Sequence, residues 1–283
     1  MAQILDGKLV SASIRAELKT EIEQLKQKGI VPGLAVILVG EDPGSQVYVR
    51  NKAKACDEVG IKSEVIKYPE DVSEEVVLEK IKELNTREDI HGILVQLPLP
   101  KHIDGNKVIE AIDVKKDVDA FSYENTGHVM IGDYKMLPCT PAGIIDILKF
   151  YNIDICGQNC VIIGRSNIVG KPAAMLMMHE NATVTVCHTK TRNLSEITSR
   201  ADILIVSMKK ARYITKEYVK DGAIIIDVGM NRDSEGKLCG DVDFNDVFDK
   251  CSYITPVPGG VGPMTITTLL KNTLASCKII NNI

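Results

Sequence analysis

The chain has no surplus of positive charge. Its 34 Lys and Arg are outnumbered by 38 Asp and Glu, a formal net charge of −4. This argues against non-specific nucleic-acid binding, which needs a basic surface to displace counterions. Also missing is any uncharged apolar run near the roughly 18–20 residues that span a bilayer, so no membrane association is expected. The opening stretch MAQILDGKLVSASIRAELKTEIEQLK is charged too regularly for a signal peptide. Closely spaced cysteine pairs are lacking too. There are eight cysteines, and the closest two, Cys156 and Cys160 in CGQNC, have three residues between them. With no second pair and no nearby histidine, that is a poor zinc signal, and no metal is expected. Reduced, mostly buried thiols in a cytoplasmic protein are the expectation. No low-complexity segment interrupts the chain, and no period of roughly 20–50 residues points to a solenoid.

What is present is an alternation. The 283 residues are 45% hydrophobic and 25% charged, the balance of a soluble globular protein of one large domain or two ordinary ones. GLAVILVG, KSEVIKY and GILVQLPL read as strands in the first half, and NCVIIG, ATVTVCH, ADILIVSM and GAIIIDVG in the second. Amphipathic stretches at 8–28, 45–59, 73–86 and 169–180 read as helices between them. Such an order argues an α/β fold of parallel sheets joined by crossover helices. The character of the chain changes near residue 140, where TPAGIIDILKFY reads as a helix with Thr140 as N-cap and Pro141 as its first residue. The expected division is 1–140 plus 263–283 as one domain and 141–262 as the other, the last helix packing back on the first half.

The stretch SQVYVRNKAKACDEVG carries cations at Arg50, Lys52 and Lys54. With Tyr48 set at zero on a helical wheel, Lys52 falls at about 40°, inside the arc of Ala55, Val59, Cys56 and Val49. Arg50 and Lys54 fall at about 200° and 240°, with Asp57, on the solvent face. Lys52 could simply lay its stem on the core and reach water with its tip. Alternatively it points into a cleft beside Tyr48, where desolvation disfavours the charged form and makes it usable as an acid or base.

In the second half, NCVIIGRSNIVGKPAAMLM runs strand, turn, helix, with Gly164 ending the strand and Gly170 opening the helix. This is looser than GxGxxG, but a turn after a parallel strand presents amide groups at a helix N-terminus, which suits a pyrophosphate. The next strand ends in VCHTKT, with His188, Thr189 and Lys190 where NAD enzymes usually place a carboxylate. With Arg165 across the turn, the site suits a 2′-phosphate, so NADP is expected over NAD. A solvated basic loop would look the same. GAIIIDVGMNR supplies a further strand whose Gly229–Met230 turn could meet the nicotinamide end of a dinucleotide, or could close an ordinary strand.

The motifs YVRNK, GILVQLPLP, KDVDAF, PCTPAG, GRSNIVGKP, DVGMNR and TPVPGGVGPMT occur in this order. By them the chain resembles the bifunctional methylenetetrahydrofolate dehydrogenase/methenyltetrahydrofolate cyclohydrolase family over essentially its whole length. The resemblance implies a two-lobed α/β fold: an N-terminal folate-binding, catalytic domain, a Rossmann-like NADP-binding domain, and a C-terminal helix returning to the first lobe. It implies oxidation of 5,10-methylenetetrahydrofolate by NADP+, hydrolysis of the methenyl product to 10-formyltetrahydrofolate, and a cytoplasmic homodimer. By the same resemblance Lys52 assists both steps, Gln96 hydrogen-bonds that lysine, and Asp119 grips the pterin. Tyr48 stacks on the folate, and Leu97, Pro98, Pro258, Gly259 and Gly260 border its pocket. Gly164, Arg165, Ser166, Thr189, Gly229 and Met230 match the cofactor side. On residue type alone, Gln96 could equally be a satisfied polar group near a strand end, and Asp119 a turn or capping residue.

Two departures from the family stand out. Ala120 replaces the glycine that usually follows the second acid of KDVDAF, a small change unless the position needs positive φ. Lys209, in SMKKA, stands where the family's loop has glycine. That loop follows a strand of the nucleotide half, so a cyclohydrolase with weak or absent dehydrogenase activity is one alternative. A non-catalytic dinucleotide-binding sensor is another.

Overall fold

The computed structural model describes residues 2–283. Along the chain, β1 (Gln3–Ile4) and α1 (Gly7–Gln27) lead into β2 (Gly33–Val39), α2 (Pro43–Val59), β3 (Lys62–Tyr68), α3 (Glu74–Thr86) and β4 (Gly92–Val95). Two short helices follow, α4 (Gly105–Glu110) and α5 (Tyr123–Ile131). A second alternation begins with α6 (Cys139–Phe150) and β5 (Asn159–Ile163), then α7 (Gly170–His179), β6 (Thr183–Cys187), α8 (Leu194–Thr198), β7 (Ile203–Val206) and β8 (Ile224–Asp227). A hairpin of β9 (Asn231–Arg232) and β10 (Leu238–Cys239) precedes α9 (Phe244–Val247), β11 (Tyr253–Ile254) and α10 (Val261–Ile280). The α/β class and the strands and helices expected from apolar periodicity are all found. GILVQLPL is extended only to Val95, because the prolines beyond it cannot donate to a ladder. Thr140 is not the N-cap of α6: the helix already begins at Cys139, and the Thr140 hydroxyl lies 2.9 Å from that of Thr265.

The chain divides into two compact units, Ser13–Cys139 with Ile266–Ile283, and Thr140–Thr265 with the residues up to Ala12. The N-terminal segment thus departs from the expected division of 1–140 against 141–262. Its short strand β1 pairs in parallel with β11, Gln3 opposite Tyr253 and Ile4 opposite Ile254, at one edge of the larger sheet. Two consecutive residues with an apolar neighbourhood carry no periodicity, so pairing this distant in sequence was invisible beforehand.

The smaller sheet has the order β3-β2-β4, all parallel. β2 is buried along its full length, as a central parallel strand covered on both faces must be. Its side chains alternate between two cores. Leu34, Val36 and Leu38 pack with Val49, Ala55 and Val59 of α2 and with Leu269, Leu270 and Leu274 of α10. Ala35, Ile37 and Val39 pack with Val77, Ile81 and Leu84 of α3. The C-terminal helix therefore belongs to the core beneath α2. Beyond β4 the segment around Asp117 extends the sheet by a parallel bridge to Ile93.

The larger sheet has the order β1-β11-β8-β7-β5-β6. β5 is flanked by β6 on one side and β7 on the other, both parallel to it. The strand order therefore reverses at β5, the position where doubly wound sheets bind ligands beyond their carboxyl ends.

Candidate active site

In the smaller-sheet unit the site is built on α2. Asp42 caps this helix by accepting from the Ser45 amide at 2.7 Å, Pro43 occupies its first turn, and Gly60 ends it in the left-handed region at φ +89°. The caps set where the helix starts and stops, and packing of Val49, Ala55, Cys56 and Val59 into the core decides which residues face inward. Arg50 and Lys54 are exposed and Lys52 is buried, with only 7% of its surface accessible. The amphipathic wheel thus separated the three cations correctly. Tyr48, one turn earlier, is half-buried, and that burial raises its phenol pKa.

Lys52 Nζ donates to Gln96 Oε1 at 3.0 Å. Gln96 follows β4, and its backbone amide is bound to the Ile37 carbonyl of β2. Its side-chain nitrogen donates to the Leu97 carbonyl at 2.7 Å, which leaves the oxygen as the end that meets the lysine. Leu97 is half-buried, Pro98 is exposed, and the peptide between them is cis.

The two acids of KDVDAF part ways. Asp117 is buried and spends Oδ2 on the Ser122 amide and the Asn125 side chain, both at 2.9 Å, closing the turn into α5. Asp119 has no such partners in the turn. Burial pushes its carboxyl pKa up, the positive charge of Lys52 pulls it partly back, and Asp117 pushes it up further. Its Oδ1 lies 3.6 Å from the Cys139 thiol. Ala120 holds φ +56°. The position does need the left-handed region, so the missing glycine is not neutral: a side chain there costs about 1 kcal/mol.

The second group of residues lies at the carboxyl ends of β5, β6 and β7. A Cβ on Gly164 would sit 2.3 Å from the Ser207 carbonyl oxygen, and one on Gly170 would sit 2.2 Å from the Gly164 carbonyl oxygen. The turn can therefore be this tight only without side chains. Ser166 accepts from the amides of Val169 and Gly170 at 3.2 and 3.3 Å, starting α7. The Gly164 amide binds the Cys187 carbonyl at the end of β6, bringing the Arg165 turn beside the 188–190 turn. Arg165, Thr189 and Lys190 are exposed, and His188 Nδ1 accepts from the Lys190 amide at 3.1 Å. Gly229 donates to Asp227 at 2.8 Å, and Met230 is exposed.

Lys209 adopts φ +58°, the conformation a glycine would supply. Asp241, a residue the sequence did not single out, enforces it. Its carboxylate accepts from the amides of Met208, Lys209 and Lys210 at 2.7, 3.2 and 2.6 Å, and from the Asn231 side chain at 2.9 Å. The neighbouring cations are engaged, Lys210 over the Tyr213 ring and Arg212 with Asp233. Pro258, Gly259 and Gly260 belong to this same unit, not to the one that carries Lys52; Gly259 has φ +109°. No group of His, Cys, Asp and Glu arranged to hold a metal occurs among the described residues.

A parallel sheet whose strand order reverses at β5, beside a glycine turn, defines one unit as a dinucleotide-binding fold. The other, with a buried lysine, a carboxamide and a desolvated carboxylate, has the character of a catalytic unit. Comparison with known proteins agrees. Residues 5–119 match the tetrahydrofolate dehydrogenase/cyclohydrolase catalytic domain, and 138–281 match that family's NAD(P)-binding domain. The bifunctional protein FolD of Lachnoclostridium phytofermentans is 59% identical over 98% of this chain and 99% of its own. The crystal structure of the bifunctional FolD methylenetetrahydrofolate dehydrogenase/cyclohydrolase of Campylobacter jejuni is 50% identical, covers 100% of both chains and superposes with a TM-score of 0.97. The FolD of Trypanosoma brucei, solved with NADP and an inhibitor, is 37% identical over 100% of this chain and 99% of its own, with a TM-score of 0.96. The chain belongs to the tetrahydrofolate dehydrogenase/cyclohydrolase family.

Proposed function

We infer that this chain acts twice on one folate. It removes a hydride from 5,10-methylenetetrahydrofolate, giving the 5,10-methenyl cation, and then adds water to that cation, giving 10-formyltetrahydrofolate and a proton. The observation that carries this reading is the Lys52–Gln96 hydrogen bond in a unit that also holds the desolvated Asp119.

Each residue type suits its part. An aminopterin edge presents paired N–H donors, which a carboxylate such as Asp119 accepts bidentately. Tyr48, one turn from Lys52, offers a flat face for stacking, and Leu97 and Pro98 supply apolar contact. Lys52 then moves the proton of the attacking water. Its nitrogen, held by Gln96, is the group placed to take that proton when water adds to the methenyl cation. Gln96 can accept from the amine in either protonation state, so it keeps the nitrogen aimed throughout.

The hydride acceptor is read as NADP rather than NAD. Bound NADP+ supplies the nicotinamide that takes up the hydride. The Gly164–Gly170 turn, which packs backbone on backbone too closely for a Cβ, leads into the N-terminus of α7, where amides suit a pyrophosphate. Arg165, Thr189 and Lys190 would hold a 2′-phosphate, with no carboxylate at the end of β6 to repel it. Gly229 and Met230 are assigned to the nicotinamide end. The enzyme is expected to work in the cytoplasm as a homodimer. No described helix is long and apolar enough to cross a membrane.

A cyclohydrolase with a poor dehydrogenase half is the second reading, and the Lys209 side chain beside the switch point is what favours it. Against it, the Asp241 clamp keeps the loop in the shape a glycine would allow. Paired assays decide: reduction of NADP+ and of NAD+ with methylenetetrahydrofolate, beside hydrolysis of methenyltetrahydrofolate. Brisk NADP+ reduction supports the bifunctional reading, and hydrolysis alone supports the second. A protein with neither activity would be a dinucleotide-binding sensor.

A further inference from the structure

The peptide just before Asp119 is held by a residue that arrives from the far end of the chain. Asn272 sits on α10 in a row of apolar residues that includes Ile266, Leu269, Leu270 and Leu274, and it is buried, 5% accessible. Its side-chain nitrogen donates to two carbonyls, those of Val118 and Leu137, each at 2.8 Å. Its oxygen faces the Leu137 amide at 3.5 Å, and its nitrogen also lies 3.8 Å from Cys139 Sγ. One amide therefore ties together the peptide just before Asp119 and the segment leading into Cys139.

Cys139 completes the arrangement. Its single thiol proton has two acceptors, the Val118 carbonyl at 3.5 Å and Asp119 Oδ1 at 3.6 Å. Burial and the charge of Asp119 push the thiol pKa well up, so it remains a donor. Asp119 is thus bracketed: a clamped carbonyl precedes it, a left-handed alanine follows it, and a thiol meets its carboxylate. A leucine at 272 would fill the space between the apolar neighbours but leave both carbonyls without this donor. Simple packing does not call for an amide here.

We propose that Asn272, acting through Val118 and Cys139, is a positioning residue for the Asp119 carboxylate, and that it governs affinity for the aminopterin group of the substrate rather than the rate of chemistry. This rests on the reading of Asp119 as the pterin ligand. The full-length enzyme is assayed for methenyltetrahydrofolate hydrolysis with Asn272→Leu, Asn272→Ser, Cys139→Ala and Asp119→Asn, alongside thermal unfolding. Asn272→Leu and Cys139→Ala are expected to raise KM roughly tenfold while kcat stays within about threefold. Asn272→Ser, which keeps one donor, is expected to fall between Asn272→Leu and the parent. The pH at which KM begins to rise should move in Asn272→Leu and Cys139→Ala alike. Should Asn272→Leu fail to fold, Cys139→Ala decides alone. Unchanged KM in the folded variants, or losses that merely track the folded fraction, overturn the proposal while Asp119→Asn still abolishes binding. An Asp119→Asn enzyme with normal KM overturns both the proposal and the pterin assignment beneath it.

Discussion

Gln96 turns its carboxamide oxygen toward Lys52 because its nitrogen is committed to the Leu97 carbonyl. The amide cannot flip without losing both bonds, so the lysine meets an acceptor with no charge of its own. Replacing it by an acid changes the electrostatics while nearly keeping the shape. Gln96→Glu would hold Lys52 as its ammonium and remove the base that water needs. Methenyl hydrolysis is expected to fall by about 100-fold or more, with Lys52→Met at least as damaging. Stopped-time assays of hydrolysis check this, and near-normal turnover in Gln96→Glu would remove Lys52 from the mechanism.

Folate binding should weaken in mild acid. The Asp119 carboxyl is pushed above its ordinary range by burial, and only its ionised form accepts both donors of an aminopterin edge. As pH falls through that raised value the carboxylate is protonated, so KM should climb at a higher pH than an exposed aspartate would dictate. Above it KM should be flat. KM for methenyltetrahydrofolate measured from about pH 4 to 8 gives the profile. A flat KM throughout would contradict the assignment.

Arg165 should set the choice of dinucleotide. It is exposed beside the 188–190 turn, where no acid competes for it. Arg165→Ala is expected to raise KM for NADP+ by roughly tenfold and leave KM for NAD+ nearly unchanged, the loss of one charge-assisted phosphate contact. Equal losses for both would place the arginine elsewhere in the site.

Ala120 and its left-handed backbone offer a test by stabilisation. Ala120→Gly relieves the steric cost of φ +56° but adds chain entropy to the unfolded state. The net gain should be about 0.5–1 kcal/mol by urea unfolding. A loss of stability would mean that the alanine methyl contributes more in the core than its backbone costs.

Lys116 ends α3. Its buried ammonium donates to the carbonyls of Leu84, Asn85 and Arg87 at 3.1, 2.9 and 2.7 Å. The Leu84 carbonyl also accepts from the Arg87 amide at 3.3 Å, and the lysine gathers all three carbonyls at the helix end, a C-cap reached from 29 or more residues away. Lys116→Met should cost about 2–3 kcal/mol, seen as a lower urea midpoint with an unchanged slope. A change under about 0.5 kcal/mol would show that water replaces the ammonium there.

Local patterns carried a good deal of this protein. Strands rich in Val, Ile and Leu, helices with one apolar face, and the placing of Lys52 inside and Arg50 and Lys54 outside all follow from neighbours a few residues apart. The glycine turn at Gly164 and the basic 188–190 turn were legible for the same reason. Tertiary structure decided what depends on distant partners. Asp117 and Asp119 are the same residue type two positions apart, and only the fold spends one on a turn and leaves the other desolvated. Asn272 and Asp241 gave little signal, since a polar residue in a helix or loop acquires meaning only when the carbonyls or amides it meets are known. Likewise the two residues of β1 join β11 because a sheet edge was open there, a fact no short window of sequence contains.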